Sequence, residues 1–442
     1  MAELRELSRL LRELDDQMIT CMRCGMCQAV CPLYAETGRE ADVARGKIVL
    51  LEHLSRDLLK DPEGVKQRLE NCLLCGSCAA ACPSGVKVLD LFLKARAVIN
   101  GYLGLSPAKK AVFRLVLTRP ELFNRLISMA SRLQGIFTRP ADDLLGASCA
   151  RFEAGPLKDR RFMPLARTPW HKQTPELNEP AGPGDTKVAF FPGCLVDKVF
   201  PDVAQSVHKA LGHHGIKIYL PARQSCCGIP ALSSGDARSF VQLVRQNLKL
   251  FAGGDFQYLV TPCATCTATI KEIWPVMGDY FLPQEKEKIA AVAAKTMDIT
   301  QFLAEKTSLE PPAAGSEPGA KVTYHDPCHL KKSLGVHAQP RALINANPDY
   351  AFVEMDEADR CCGMGGSFGL QNYDLSKKVG ERKLQNILES DVDVVGTACP
   401  ACMLQLIDML SRSRSPIQVK HAVQIYAENL SIKSINTSIQ NR

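Results

Sequence analysis

Eight cysteines near the start of the chain occur in two copies of one spacing pattern. Each copy reads C-x-x-C-x-x-C-x-x-x-C-P, and the second copy follows the first by 51 residues. Runs with this spacing hold pairs of 4Fe–4S cubanes, and the fourth cysteine of each run ligates the other cluster. The first cubane set is expected to be Cys21, Cys24, Cys27 and Cys82. The second cubane set is expected to be Cys72, Cys75, Cys78 and Cys31.

Zinc sites and disulfides are the alternative uses of these eight cysteines. Zinc-binding cysteines come as isolated pairs with wider separations. Disulfide frameworks are typical of small secreted chains. Neither pattern fits two dense runs in a chain of 442 residues, so the spacing predicts two cubanes.

Ten further cysteines form a second duplicated pattern, offset by 134 to 136 residues. Such an offset indicates an internal duplication with small insertions. The first five-cysteine set is Cys194, Cys226, Cys227, Cys263 and Cys266. The second five-cysteine set is Cys328, Cys361, Cys362, Cys399 and Cys402. Thiolate softness favours metal ligation by both sets, with disulfides or zinc as the alternative. The remaining cysteine, Cys149, is alone and is expected to be a free thiol.

Each adjacent cysteine pair is followed by a glycine, Gly228 or Gly363. Because glycine lacks a Cβ atom, we expect it to let the backbone pass close to a bulky cluster. Gly363 also begins a glycine-rich loop that does not match G-x-G-x-x-G and does not directly follow an expected strand. We therefore interpret the loop as clearance around a cluster rather than as a dinucleotide site. Its other glycines are Gly365, Gly366 and Gly369.

Three polar residues flank Cys328, namely His325, Asp326 and His329. They could hydrogen-bond cluster sulfurs or relay protons. Local turn and capping roles are the alternative.

The order of these motifs resembles the iron–sulfur subunits of the glycolate oxidase and D-lactate dehydrogenase family. These subunits carry two ferredoxin motifs followed by two cysteine–cysteine–glycine (CCG) domains, and Arg45-Gly46-Lys47 resembles a further element of the glycolate oxidase subunit. The cluster subunit of heterodisulfide reductase and the iron–sulfur subunit of anaerobic glycerol-3-phosphate dehydrogenase are similar. In heterodisulfide reductase such a five-cysteine motif holds a non-cubane 4Fe–4S cluster. The resemblance therefore implies one such cluster on each five-cysteine set.

The function implied by the resemblance is electron transfer within an FAD-dependent 2-hydroxy-acid dehydrogenase acting on glycolate or D-lactate. FAD is expected in a partner subunit, because this chain has no loop typical of nucleotide binding. The chain would pass electrons to a quinone, a membrane carrier or another iron–sulfur partner. The alternative is a catalytic subunit that reduces a disulfide at non-cubane clusters. An iron–sulfur sensor is a third possibility, although no effector module is visible.

The elements that position these cysteines are expected to form an α+β multidomain protein. Residues 1–100 are predicted to be a helical ferredoxin-like domain with two clusters, and residues 101–185 a helical connector and linker. Residues 186–310 and 320–442 are predicted to be two α/β CCG repeats with largely parallel sheets. A linker composition separates the repeats at Pro311–Gly319. The expected strands are Val188–Phe191, Ile216–Leu220, Tyr258–Thr261, Val322–His325, Phe352–Met355 and Val392–Val395. The cluster cysteines follow strand ends, where open α/β sheets place their ligands. Because the cubane cysteines all precede residue 83, we expect the cubanes to be independent of the five-cysteine sets.

The formal charge of +7 does not indicate a nucleic-acid-binding protein. Two cubanes with their thiolates would lower it to about +3, and no DNA-binding motif is present. The segment Ser106–Pro140 holds seven Lys or Arg residues and one acidic residue, Glu121. This segment would either pack between domains or dock on a partner or on anionic lipid. Free thiolates and the lack of a secretory signal favour the cytoplasm. A peripheral position on the inner face of the membrane is an alternative.

Overall fold

The computed structural model describes residues 2–152, 159–309 and 319–430. The N-terminal unit is helical, and its first helix buries Leu7 and Leu11 as the spacing of its leucines predicts. A 3₁₀ turn at Glu40–Asp42 precedes the fifth helix. The helices are α1 (Ala2–Arg12), α2 (Asp15–Ile19), α3 (Met26–Val30), α4 (Pro32–Thr37), α5 (Ala44–Ser55), α6 (Pro62–Glu70), α7 (Ser77–Ala80) and α8 (Val88–Leu103).

The two cysteine runs of this unit fold alike. Arg23 and Leu74, which hold equivalent positions, both have positive φ (57° and 53°). The glycines that begin α3 and α7, Gly25 and Gly76, also have positive φ (87° and 75°), which glycine adopts without steric cost. The sequence repeat is therefore a repeat of backbone conformation.

The segment after α8 is partly helical, as expected. It contains α9 (Pro107–Lys110), a π-helix (Ala111–Leu117) and α10 (Pro120–Phe137). Pro120 occupies the first turn of α10 and separates this helix from the π-helix before it, since proline is tolerated at the start of a helix but not in its interior. The expected linker beyond α10 instead contains an antiparallel sheet of β1 (Thr138–Asp142), β2 (Ala147–Ala150) and β3 (Arg161–Phe162). These strands were missed because they are short and lack a clear apolar alternation.

The first repeat is built on a five-stranded sheet in the order β4-β6-β5-β7-β8. All neighbouring strands are parallel except β4, which runs antiparallel to β6. The strands are β4 (Leu177–Asn178), β5 (Lys187–Phe190), β6 (Lys217–Leu220), β7 (Tyr258–Thr261) and β8 (Thr296–Asp298). The helices are α11 (Trp170–Gln173), α12 (Gly193–Lys198), α13 (Pro201–His213), α14 (Ile229–Ser233), α15 (Ala237–Phe251), α16 (Ala264–Ala268), α17 (Trp274–Val276), α18 (Pro283–Lys295) and α19 (Ile299–Lys306). A π-helix (Thr269–Ile273) follows α16, and a 3₁₀ turn (Gly278–Tyr280) precedes α18.

The second repeat has a four-stranded parallel sheet in the corresponding order, β10-β9-β11-β12. The strands are β9 (Ala320–Tyr324), β10 (Tyr350–Phe352), β11 (Val394–Thr397) and β12 (Gln418–His421). A π-helix (His329–Ser333) follows Cys328. The helices are α20 (Ala338–Asn345), α21 (Ser367–Gln371), α22 (Tyr373–Glu389), α23 (Pro400–Ser413) and α24 (Ala422–Glu428).

The expected strands of both repeats are present, with ends shifted by up to about three residues. Two strands were missed, β8 and β12, because their sequences, Thr-Met-Asp and Gln-Val-Lys-His, are mostly polar and do not form an apolar run. The strand β4 lies before the expected start of the first repeat at residue 186. Of the predicted linker Pro311–Gly319, all but Gly319 lies outside the described residues.

The two repeats pack against each other through helices α13, α19, α20 and α24. Val203 and Val207 of α13 share one apolar core with Leu343 of α20 and Val423 of α24. A second, larger core runs from α1 through α8 into both repeats. Among the described residues, no helix is long and apolar enough to span a bilayer.

Candidate iron–sulfur sites

The first cubane set comes together at the surface of the helical unit. Its four members line one cavity, which Cys78 also touches. Cys24 is exposed, whereas Cys21 and Cys27 are partly buried. The structure thus brings together three cysteines of the first run and Cys82, the fourth cysteine of the second.

The second cubane set lines a neighbouring cavity deeper in the chain, and the same crossing of runs is seen there. Cys75 is buried, and burial raises the pKa of Cys31 to about 11. In both cavities four soft thiol donors converge, which is the donor set that a 4Fe–4S cubane requires.

Basic residues near these cavities differ in burial. The Arg45 guanidinium lies beside the first cubane set, bonds Glu40 at 2.6 Å and donates to the carbonyl of Arg23 at 3.2 Å. Lys47 lines the second cavity, is 1% exposed and donates to the carbonyl of Asp42. Burial lowers the pKa of Lys47, while the thiols of the second cubane set favour its charged form. The Arg45-Gly46-Lys47 element therefore serves both cavities.

A buried arginine that sequence reasoning missed lies behind the second cubane set. Arg96 of α8 is 4% exposed and donates to the carbonyl of Cys72 at 3.1 Å. It also donates to the carbonyl of Ser233 in the first repeat at 2.7 Å. Nothing in the spacing of α8 marks this residue. Arg96 and Lys47 place two buried basic side chains around the second cubane set.

The first five-cysteine set converges beyond the carboxyl ends of β5 and β7. The Sγ atoms of Cys227 and Cys266 lie 3.6 Å apart. Hydrogen bonds from Cys226 and Cys266 hold the pKa of Cys227 well below its ordinary value. A hydrogen bond from Cys226 also lowers the pKa of Cys194. Cys263 joins the group through its hydrogen bond with Cys266.

The second five-cysteine set repeats this arrangement. Hydrogen bonds from Cys361 and Cys402 lower the pKa of Cys362 well below its ordinary value. A hydrogen bond to Cys361, together with burial, raises the pKa of Cys328. Cys399 and Cys402 interact as the equivalent pair does in the first repeat. In both repeats the neighbouring thiols thus favour the thiolate form of the second cysteine of the adjacent pair, the form that ligates metal.

The cysteine sets also contact one another, and the expected independence of the cubanes from the repeats is wrong. Cys263 of the first repeat and Cys399 of the second lie in one buried core, where each shifts the pKa of the other. Cys75 of the second cubane set shares a buried cluster with Cys361, and this neighbouring thiol, together with burial, raises the pKa of Cys75 well above its ordinary value. We call this series the thiol path: it runs from Cys75 through the second five-cysteine set into the first.

His329 and Lys332 hold the helical unit against both repeats. His329 Nε2 lies 3.0 Å from the carbonyl oxygen of Leu74, and Nδ1 lies 3.2 Å from Thr265 Oγ1 in the first repeat. Lys332 Nζ donates to Ser77 Oγ at 2.7 Å, and that oxygen lies 3.4 Å from Cys75 Sγ. His329 therefore contacts all three units beside the thiol path.

The glycines after the cysteine pairs are explained by protein packing. A Cβ atom at Gly228 would lie 2.7 Å from the ring of Phe240, and one at Gly363 would lie 2.5 Å from the carbonyl of Ser376. Both glycines also have positive φ (99° and 96°). At Gly365 a Cβ atom would lie 2.6 Å from Leu73 in the second cubane run. The glycine-rich loop thus lets the second repeat approach that run, so the clearance seen at these glycines is for protein, and clearance around a cluster stays a prediction.

The other two residues flanking Cys328 have different roles. Asp326 forms ion pairs with Arg341 at 2.8 Å and Lys331 at 3.2 Å, which is a structural role. His325 is fully buried, and burial lowers its pKa to about 3. One of its ring nitrogens and the Sγ atoms of Cys362 and Cys402 all lie within 4.8 Å of one another.

Two buried ionisable residues at equivalent strand ends were also missed. Asp298 ends β8 and His421 ends β12. Burial raises the pKa of Asp298 to about 7 and lowers that of His421 to about 4. The nearby Cys399 adds to the rise in the pKa of Asp298 and opposes the fall in that of His421. The sequence did not indicate these two residues, because the strands that they end, β8 and β12, are short and mostly polar.

A cavity of about 380 Å³ opens beside the thiol path where the three units meet. All members of the second five-cysteine set line it, together with His329 and Lys332. Leu73 and Leu89 of the helical unit and Ile229 of the first repeat supply apolar wall. The cavity could admit a small molecule beside the second five-cysteine set.

Two exposed apolar surfaces lie elsewhere. The port surface surrounds the first cubane set and consists of Ile19, Met22, Met26 and Val30, of which Met22 is 66% exposed. The α10 surface consists of Met129, Leu133, Ile136 and Phe137, which are 44–59% exposed. Expected packing between domains therefore holds for the buried Phe113 and Leu117 but not for most of α10.

Two family models match the chain. A 4Fe–4S dicluster domain matches residues 17–86. A cysteine-rich domain matches twice, at residues 188–271 and 322–407. The predicted order of motifs, including the duplication, is confirmed by these matches.

Several proteins of other organisms are similar over much of the chain. The probable glycolate oxidase iron–sulfur subunit of Bacillus subtilis is 30% identical over 423 residues, which cover 91% of this chain and 92% of that protein. Lactate utilization protein A of an Exiguobacterium species is 31% identical over 55% of this chain and 98% of its own. One component of the dihydromethanophenazine:CoB–CoM heterodisulfide reductase of Methanosarcina barkeri is 26% identical over 96% of both chains.

A solved structure of a hypothetical protein from Helicobacter pylori shares the fold. It superposes with a TM-score of 0.50 at 8% identity and covers 88% of this chain and 68% of that one.

Proposed function

Because the chain belongs to the family of glycolate oxidase iron–sulfur subunits, we propose that it conducts electrons for an FAD-dependent 2-hydroxy-acid dehydrogenase. The flavin would be held by a partner subunit that oxidises glycolate or D-lactate. A quinone or another carrier would receive the electrons. Relatives named for glycolate oxidation and lactate utilization support this class of substrate.

Four clusters are part of the proposal. The first and second cubane sets would hold one 4Fe–4S cubane each, and the two five-cysteine sets would hold one further 4Fe–4S cluster each. Such clusters accept and donate single electrons at potentials set by charge, hydrogen bonds and burial. The convergence of thiols in each set supports this assignment.

The thiol path is the observation that carries the proposal. A subunit whose clusters worked separately would have no need to bring Cys75 against Cys361, or Cys263 against Cys399. These contacts connect the second cubane set to the interior of the first repeat. Cys78 lines the cavities of both cubane sets, and the first of these reaches the surface at Cys24. The side chains of Lys47 and Arg96 would stabilise negative charge at the second cubane set and so favour reduction there.

The first prediction concerns the number of clusters. Protein purified without oxygen should contain about 16 iron atoms and 16 acid-labile sulfides per chain, since each cluster holds four of both. Colorimetric iron and sulfide assays on the holoprotein measure this. A value near eight would contradict cluster binding by the five-cysteine sets.

The second prediction tests conduction. Cys362→Ser should abolish substrate-dependent reduction of a quinone analogue in the complex with the flavoprotein, because a hydroxyl is a weak replacement for a soft thiolate. Cys362 is chosen over Cys361 because Cys361 also contacts the second cubane set. Flavin reduction by glycolate or D-lactate should continue.

Cys149→Ser is the matched control, because Cys149 is a partly buried cysteine on β2 outside every cysteine set. It should leave quinone reduction unchanged. Normal turnover by Cys362→Ser with one cluster missing would show that the second repeat lies off the electron path. Oxidation of glycolate or D-lactate by the flavin-free chain alone would contradict the need for a flavoprotein.

The third prediction concerns where the flavoprotein docks. The port surface is exposed and apolar beside the outermost cubane set, so it suits a partner that delivers electrons there. The double substitution Met22→Glu and Met26→Glu should raise the apparent KM for the flavoprotein at least tenfold, since two interface anchors of over about 1 kcal/mol each exceed the roughly 1.4 kcal/mol of a tenfold change. Iron content should not change.

Leu144→Glu provides the control for that experiment. Leu144 is 72% exposed but lies between β1 and β2, outside the port surface. An equal effect of both variants, or no effect of the double variant, would show that the flavoprotein docks elsewhere.

The fourth prediction concerns a peripheral position on the cytoplasmic face of the membrane. The α10 surface lies beside Arg125 and Arg132, which are exposed on the same helix. A basic amphipathic helix of this kind binds anionic lipid. The protein should co-sediment with phosphatidylglycerol vesicles but not with phosphatidylcholine vesicles, and Arg125→Gln with Arg132→Gln should weaken this binding. Equal binding to both vesicles, or to neither, would contradict the proposal.

Disulfide reduction is the second candidate function, and the cavity of about 380 Å³ favours it. A disulfide there would take two electrons and two protons and leave as two thiols. Similarity to a component of a heterodisulfide reductase supports this candidate. Release of thiols from an added disulfide by the reduced chain, without quinone reduction, would favour it over conduction.

A further inference from the structure

The two repeats differ at one buried position next to their cysteine sets. His325 follows β9, and the equivalent residue after β5 is Phe191. Both side chains are fully buried. Their backbones are held alike: the amide of His325 donates to the carbonyl of Gly396 at 2.8 Å, and that of Phe191 donates to the equivalent carbonyl of Val260 at 2.9 Å. Only the side chain breaks the symmetry.

The imidazole of His325 is directed at the second five-cysteine set. One ring nitrogen lies within 4.8 Å of the Sγ atoms of both Cys362 and Cys402. Within the described ranges neither ring nitrogen forms a hydrogen bond of good geometry, although the backbone of Ala358 lies close enough to favour the protonated ring. A buried polar group without a partner is costly, so such a group in a native protein points to an acceptor or ligand still to be added.

The comparison with the first repeat decides between a ligand and a hydrogen-bond donor. The first repeat has the same five cysteines and an apolar ring where the second has imidazole. If the sets are equivalent, five cysteines suffice to hold a cluster and the histidine is not needed for ligation. A neutral imidazole still has one N–H to donate, and the sulfur atoms of an anionic cluster are acceptors.

We propose that His325 donates an N–H···S hydrogen bond to the cluster of the second repeat and raises its reduction potential above that of the first repeat. This inference rests on the proposed clusters. Reduction adds negative charge to a cluster, and a donated hydrogen bond stabilises that charge. His325 is thus a positioning residue that gives the clusters of the two duplicated repeats different reduction potentials.

The test is to give the second repeat the residue of the first. His325→Phe should lower the midpoint potential of one cluster in a redox titration of the holoprotein followed by electron paramagnetic resonance. The reduced-to-oxidised ratio of that cluster at fixed potential should fall about tenfold, which is 59 mV for one electron. Iron content should stay at the wild-type value. Phe191→His should raise the potential of a different cluster, and His325→Gln should partly restore the wild-type value.

Other outcomes would overturn the inference. Unchanged potentials in His325→Phe would show that the ring does not interact with a cluster. Loss of iron in His325→Phe, with nitrogen hyperfine coupling of a bound imidazole in the wild-type protein, would make His325 a ligand instead. A wild-type iron content near eight would refute the proposed clusters themselves, which is distinguishable from a failure of the histidine alone.

Discussion

The rest of the structure depends on one constraint: thiols from the helical unit and from both repeats must meet at a single buried junction. A free thiol can be buried at small cost, but so many of them in mutual contact leave little room for error in packing. The junction is therefore fixed by polar contacts of high directionality, such as those of His329 with Leu74 and Thr265. Glycines occur where a Cβ atom would prevent the approach, as at Gly365 against Leu73.

Duplication accounts for most of the architecture, and departures from it account for function. The two sheets have corresponding strand orders, and their cysteine sets form corresponding contacts. The second repeat, however, contacts the helical unit through Cys361, whereas the first repeat contacts it through Arg96 of α8. The two repeats, which have corresponding folds, thus lie in different electrostatic and geometric environments.

The sequence was sufficient to predict which cysteines converge, because ligand spacing is local; that each set holds a cluster stays a prediction. The crossed cubane sets, the duplication and the main strands all followed from short patterns around residues such as Cys21 and Cys194. Contacts such as Cys75 with Cys361 join residues 286 positions apart. No periodicity or spacing encodes how two domains pack, so the junction could not be predicted. Arg96 and Asp298 were missed for a related reason, since each is an ordinary residue type whose importance comes only from its buried position.

The thiol path also bears on what limits the speed of the protein. Electron tunnelling slows exponentially with the distance between donor and acceptor, and cysteines of successive sets on the thiol path lie in the same buried clusters. Transfer within the chain would then be fast compared with the diffusional arrival and departure of other molecules. The overall rate would then be limited by the binding of other molecules at the two ends of this series of cysteine sets. One end is the exposed loop of Cys24, and the other is the first repeat. Natural variation that alters flux should therefore accumulate on the surface of the molecule while its interior stays unchanged.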